Sequence, residues 1–367
     1  MTIGRVWNVP IRLHLSWFLI FFLVTWSLAT GFLPSEYPRL GASTYWFLGV
    51  ITSLLFFGSV LLHELGHVYA ALREKIAVRG VTLFIFGGVA QIEQEPRSPG
   101  AEFRVAIAGP LVSLALALIF HVGFRLVPED GLLSASTSWL ARINLLLAAF
   151  NMIPGFPLDG GRVLRAVVWS LTGNLHRATH VASSSGQLVA LGFIGLGLFQ
   201  IFLGGFFGGL WLIFIGWFLQ NAAAASYAQS NLQEMLGGVL VTQAMTPGWM
   251  PISPLTELDR LVEERILAGG ERFFLVADAD DLRGLVTLTN IASVPRTKWG
   301  ETKVAEVMIP WNKVVHVQSR SELLEALRIL DNTGVNQAPV MDGDRVVGVL
   351  SKDQVMHYIR LRTDLGF

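Results

Sequence analysis

His63-Glu64-Leu65-Gly66-His67 has residue types and a spacing that could do hydrolytic chemistry. On a helix, the two imidazoles of this H-E-x-x-H pattern stand one turn apart on the same face, so both can hold one Zn²⁺. Glu64 is placed to act as general base on the water that such a site activates, its pKa brought from 15.7 toward about 7. A catalytic zinc normally takes three protein ligands and keeps its fourth position open. The chain has no cysteine, so the third ligand must be His, Asp or Glu.

The segment from Asn151 to Gly161 offers Asp159 as that ligand. Pro154 and Pro157 interrupt helical hydrogen bonding there, and its glycines permit close backbone approach. Non-helical backbone at membrane depth is tolerated where it lines a protein-buried or water-filled cavity. The competing reading of Asp159 is an ordinary helix-terminal turn. Asn151 either donates a hydrogen bond to a developing oxyanion or satisfies broken backbone; both readings stay open.

The elements that must position these residues are apolar. The 367-residue chain has a mean hydropathy of +0.54, 52% apolar and only 15% charged residues, so much of its surface must meet lipid. An acidic residue central to an apolar run such as Leu54–Ala71 costs roughly 2.5–3.5 kcal/mol on insertion scales, which argues for a partner there. Lys+Arg and Asp+Glu both total 27, which leaves no basic field to attract nucleic acid.

Apolar stretches near 14–33, 46–72, 103–124, 139–154, 187–203 and 207–225 predict six transmembrane helices. Met1–His14 reads as a short flank before a retained first span. The division between the last two spans rests on Gly204, Gly205, Gly208 and Gly209. With the N-terminus inside, cytoplasmic segments collect ten Lys and Arg, and outer ones only Arg39, Arg125 and Arg142. An even span count returns the C-terminus to the cytoplasm. The second and fourth spans then run the same way and bring His63, His67 and Asp159 to a similar depth.

From about residue 226 the composition turns to that of a soluble α/β unit with an internal repeat. Val241–Met245 with Thr246-Pro247 is echoed by Val304–Met308 with Ile309-Pro310, and Gly284-Leu285-Val286 by Gly348-Val349-Leu350. Each copy predicts a helix (Leu255–Ala268; Ser321–Thr333), a strand, a turn (Asp278–Asp281; Asp342–Asp344) and a second strand.

With these motifs the sequence resembles the site-2 protease family of intramembrane metalloproteases, in the subgroup that carries cystathionine-β-synthase-type (CBS) repeats. The resemblance rests on His63-Glu64-x-x-His67 and on Asn151-x-x-Pro154-x-x-Pro157-Leu158-Asp159-Gly160. It implies one zinc per subunit on His63, His67 and Asp159, water activation by Glu64, and a transmembrane segment of another protein as substrate. It also implies a plasma (inner) membrane of a prokaryote as location.

Gly87-Gly88-Val89 and Ala108-Gly109-Pro110 resemble family features around a membrane-associated β-hairpin beside the active site. Val81–Phe86 and Val89–Ile92 are two short strand-prone runs. An exposed edge there would pair with an unwound substrate strand; the alternative is an interfacial connector.

The expected organisation is a protease domain over 1–225, a linker over 226–240, and tandem CBS repeats over 241–367, about 241–294 and 304–360. Paired CBS repeats commonly bind adenine nucleotides, through a pattern ending Ser/Thr-x-x-Asp. Here the first copy has Asn290 in place of that Asp, and the second has Asp353 one place early. Nucleotide binding therefore stands beside a homodimerisation or substrate-contact role. His121, His176, His180 and His357 read as packing or solvated residues. The rival function from another class is a CBS-regulated metal transporter or channel, for which His63, Glu64, His67 and Asp159 would be a transit site.

Overall fold

The computed structural model describes the chain except for residues 37, 39–40, 86, 93–95, 129–131, 270–272, 279–280 and 366–367, and the side chains of 132, 229–231 and 233–234. Arg39, Phe86 at the end of the expected hairpin strand, and the middle of the 278–281 turn lie outside the described residues. The chain divides into two compact units, Met1–Ser230 and Asn231–Phe367.

The first unit opens with strands rather than the expected flank. β1 (Thr2–Val6) and β2 (Val9–Leu13) form a hairpin about Trp7 and Asn8, with φ of 51° and 65°. Two left-handed residues in a two-residue loop match the twist of the flanking strands, and Asn tolerates that conformation. β2 pairs in parallel with β3 (Val78–Phe84), which pairs antiparallel with β4 (Gly87–Ile92). The expected hairpin is thus half of a four-stranded sheet in the order β1-β2-β3-β4, with β4 at an edge.

The helices that begin in this unit are α1 (Leu15–Glu36), α2 (Ala42–Arg73), α3 (Pro99–Leu126), α4 (Leu132–Asn151), α5 (Asp159–Thr172), α6 (Leu175–Phe202) and α7 (Phe206–Leu236). Among the described residues five are long and apolar enough to cross a membrane: α1, α2, α3, α6 and the Phe206–Ala228 part of α7. Gly204, with φ of 89°, breaks the chain between the last two.

The expected span at 139–154 falls in α4, which has 20 residues but is not among those five. Its composition is diluted by polar residues that turn inward. Ser134, Ser136 and Asn144 are buried. Thr52 of α2 donates to Ser136 at 2.8 Å, and Asn144 donates to Ser59 at 3.3 Å. Such bonds between helices in lipid contribute about 0.6 kcal/mol each on average.

α2 is held at its C-terminal end by Glu74, whose carboxylate accepts two hydrogen bonds from Arg104 of α3 at 2.6 and 3.1 Å. The guanidinium keeps the Glu74 carboxyl below its ordinary range.

In the second unit the internal repeat is physical. β6 (Phe273–Asp278) and β7 (Asp281–Thr287) pair with the same offset and the same bulge as β10 (Gln337–Asp342) and β11 (Arg345–Ser351). Each copy lends a two-residue strand to the other: β5 (Thr246–Pro247) pairs with β11, and β8 (Ile309–Pro310) pairs with β7. The short parallel strand β9 (Val317–Gln318) completes the β10 side. The expected helices occur at Leu258–Leu261, continued by a wider turn through Leu267, and at Leu323–Thr333. Each places aliphatic side chains, such as Leu258 and Leu330, in a buried core.

Candidate active site

α2 presents His63 and His67 on its buried face, each 4% exposed. Asp159 enters from the first turn of α5, whose N-terminal dipole favours a carboxylate. The three expected ligands converge: His63 Nε2 lies 3.2 Å from His67 Nε2 and 3.2 Å from Asp159 Oδ2, and His67 Nε2 lies 3.1 Å from Asp159 Oδ2. They are the one candidate metal group of three or more His, Asp or Glu found among the described residues.

The hydrogen bonds behind these rings decide what the cluster suits. His67 Nδ1 lies 2.7 Å from the carbonyl oxygen of Val105, which can only accept, so Nδ1 carries the proton. Nε2 of the neutral ring then offers a lone pair toward the carboxylate oxygen of Asp159. His63 Nδ1 lies 2.9 Å from the Ser113 hydroxyl, which can accept its proton in the same way and turn the Nε2 lone pair toward the same point. Lone-pair donors so arranged suit a shared cation. A tetrahedral zinc, with ligand distances of about 2.0–2.2 Å, spaces its ligands about 3.3–3.6 Å apart, slightly wider than this triangle. The residues fit the metal.

α3 supplies the braces, and its glycine makes room for the rings. A β-carbon at Gly109 would collide with His67 Nε2 and stand 2.7 Å from His63 Nε2. Ala108-Gly109-Pro110, expected around the hairpin beside the active site, lies within α3, with Gly109 against the His63 and His67 rings. The sequence reading missed Ser113 and Val105. A single serine in an apolar helix carries no recognisable spacing, and a carbonyl brace carries no side-chain signal.

Glu64, His63, His67, Asp159, Asn151 and Arg162 line one cavity of about 520 Å³, whose walls include β4. Glu64 therefore faces the same space as the triangle, as a general base must. Asn151 reaches that cavity, while its side-chain amide donates to the Leu147 carbonyl at 3.0 Å. This bond belongs to the backbone-satisfying reading, and the cavity position leaves the oxyanion reading open. Of the other histidines, His176 and His180 pack against Tyr227, and His121 packs near Phe124.

The model of peptidase family M50 matches residues 51–134 and 126–193, a range that holds His63, Glu64, His67 and Asp159. Rip3 of Mycobacterium tuberculosis is 35% identical, over 98% of this chain and 92% of that one. The Synechocystis protein sll0528 is 37% identical, over 97% and 94%. Both are named as zinc metalloproteases.

The chain belongs to peptidase family M50. The CBS-domain model matches this M50 peptidase over 304–361, the second copy of its repeat. The solved site-2 protease of Methanocaldococcus jannaschii is 28% identical, covering 62% of this chain and 94% of that one at a TM-score of 0.43. The M50 peptidase is thus a membrane zinc metalloprotease with a CBS domain, and the transporter reading is not favoured.

Proposed function

We propose that this M50 peptidase hydrolyses peptide bonds inside transmembrane segments of other proteins, with His63, His67 and Asp159 holding one zinc and Glu64 moving the proton. The observation that carries the reading is the convergence of the three lone-pair donors within one cavity that Glu64 also lines.

When bound, the zinc polarises the scissile carbonyl and makes the attacking water more acidic. Glu64 takes a proton from that water on a carboxylate oxygen. Attack on the carbonyl carbon follows, and Glu64 then passes the proton to the departing amine nitrogen as the C–N bond breaks. Val105 and Ser113 hold the His67 and His63 rings in place through both proton transfers. Asn151, at the cavity wall, is offered as a donor to the oxygen that gains negative charge.

A helical substrate must unwind before its carbonyl is accessible, because intrahelical bonds cover it. β4 supports a way to hold the unwound strand. It is an edge strand of its sheet, and Gly87, Gly88, Val89 and Ala90 line the cavity. Main-chain pairing to that edge accepts an extended peptide of almost any sequence.

Residues 1–225 are proposed as the protease domain, 226–240 as the linker and 241–367 as the regulatory repeats. The excess of Lys and Arg in alternate segments supports a cytoplasmic N-terminus in a prokaryotic plasma membrane, with cleavage near the cytoplasmic side of the substrate; a cytoplasmic C-terminus requires in addition that α4 crosses as a sixth span beside the five long apolar helices.

Regulation is proposed to pass through the CBS repeats, by adenine nucleotide or by pairing with a second copy. Asn290 and Gln354 occupy the pattern's Asp position. The side-chain oxygen of each accepts from the backbone at its own helix start, from Thr287 at 3.1 Å and Ser351 at 3.0 Å. These bonds cap the helices in either case; calorimetry of the full-length protein with ATP and AMP decides, heat at micromolar nucleotide supporting the nucleotide and none supporting pairing.

The experiment for the main reading is Glu64→Gln in the purified full-length protein. Zinc stays at one per chain and cleavage of a membrane substrate is lost; retained cleavage would remove Glu64 from the reaction.

A further inference from the structure

Two buried charges take no part in the mechanism above. Glu102 of α3 is fully buried and Arg165 of α5 is 7% exposed, and Arg165 Nε donates to Glu102 Oε1 at 2.6 Å. Placing both ions out of water is costly, and a buried pair adds little net stability over an apolar replacement. A role beyond stability is therefore worth seeking in what the pair connects.

Glu102 stands on the α3 face that braces the ligands. Val105 follows it by one turn, Gly109 by two, and Ser113 by three, and all are buried. Arg165 stands on the other helix, six residues after Asp159, about 9 Å along the axis of α5. Its guanidinium also lies over the ring of Phe156, 5.3 Å from the centroid, in the turn that leads into Asp159. The Phe156 N–H donates to the Ala182 carbonyl at 3.1 Å, so that turn is tied to α6 as well.

We infer that Glu102 and Arg165 are positioning residues that lock α5 to α3 and thereby set Asp159 at the depth of the two imidazoles. α2 and α3 already hold His63 and His67 through side-chain and carbonyl contacts. Asp159 reaches the site from a different helix, entered through a proline-interrupted turn. The ion pair ties that helix to the bracing one within two turns of the ligand. The inference rests on the zinc reading proposed above.

The test replaces both ions, so that neither charge is left buried alone: Glu102→Gln with Arg165→Met in the full-length protein. Zinc affinity is read by competition with a chromogenic chelator, beside the thermal transition of the metal-free protein. The affinity falls about 10–100-fold, the usual effect of disturbing a ligand's support. Adding the pair of changes to Asp159→Asn lowers affinity little further, because the ligand they position is already gone.

Equal affinity in the doubly substituted and natural proteins overturns the inference. So does an equal drop in both backgrounds, which marks a general loosening of the fold. If the double variant does not fold, Arg165→Lys keeps the charge but not the forked geometry, and the same two measurements apply. Natural protein that takes up no zinc would sink the metal reading itself, a result distinct from either.

Discussion

Gly88 of the edge strand lies against Glu64: a β-carbon there would collide with its Cγ and stand 2.9 Å from both Cδ and Oε1 of the carboxylate. The obstructed atoms are those of a side chain rather than of backbone, and the clash begins at Cγ, so Gly88→Ala turns Glu64 about its Cα–Cβ bond and away from its place. Misplacement of about 1 Å costs on the order of 10²-fold in turnover. Turnover of a membrane substrate should fall by about that factor with zinc content unchanged; full turnover would show that Glu64 is not held by this contact.

Gly109→Ala fails differently. Its β-carbon meets Nε2 of both histidines, so the expected outcome is loss of stoichiometric zinc along with cleavage. Elemental analysis of the purified protein distinguishes it from Gly88→Ala. Zinc at one per chain would mean that α3 can retreat from the rings.

Ser113→Ala removes the group facing His63 Nδ1 and leaves that nitrogen buried without it. Loss of such outer support weakens zinc binding about 10–100-fold. Chelator competition measures it, and an affinity within twofold of the natural protein would assign the hydroxyl no part in orienting the ring.

Ile11, 5% exposed, sits on the central strand β2 opposite Val81. Ile11→Ala should cost about 2–5 kcal/mol through lost burial and the cavity left behind. A lower thermal midpoint in detergent would record it. An unchanged midpoint would mean that the N-terminal strands are not part of the cooperative fold.

How far the sequence reveals this molecule depends on where each signal is written. His63 and His67 are legible because a helix converts their spacing into one face, and Asp159 because prolines and glycines mark its turn. The tail's repeat is legible because both copies place a glycine before a pair of aliphatic residues, Leu285-Val286 and Val349-Leu350. The N-terminal hairpin is not: its alternation spans only five residues a side, and its parallel partner β3 lies some seventy positions later. α4 reads as an ordinary span until its polar residues are seen to face α2. Glu102 and Arg165 are separated by 63 positions, and neither residue indicates the other.

The exchanged strands of the tail tie its two halves to a common fate. The edge at Gly284 is met by Ile309 and Pro310 from the second half, and the edge at Gly348 by Thr246 and Pro247 from the first. A chain cut between the halves would leave each fragment with an open edge, prone to borrow its missing strand from a neighbouring molecule. Truncations within this region should therefore be lost to aggregation or degradation, so that the appendage is kept or discarded whole.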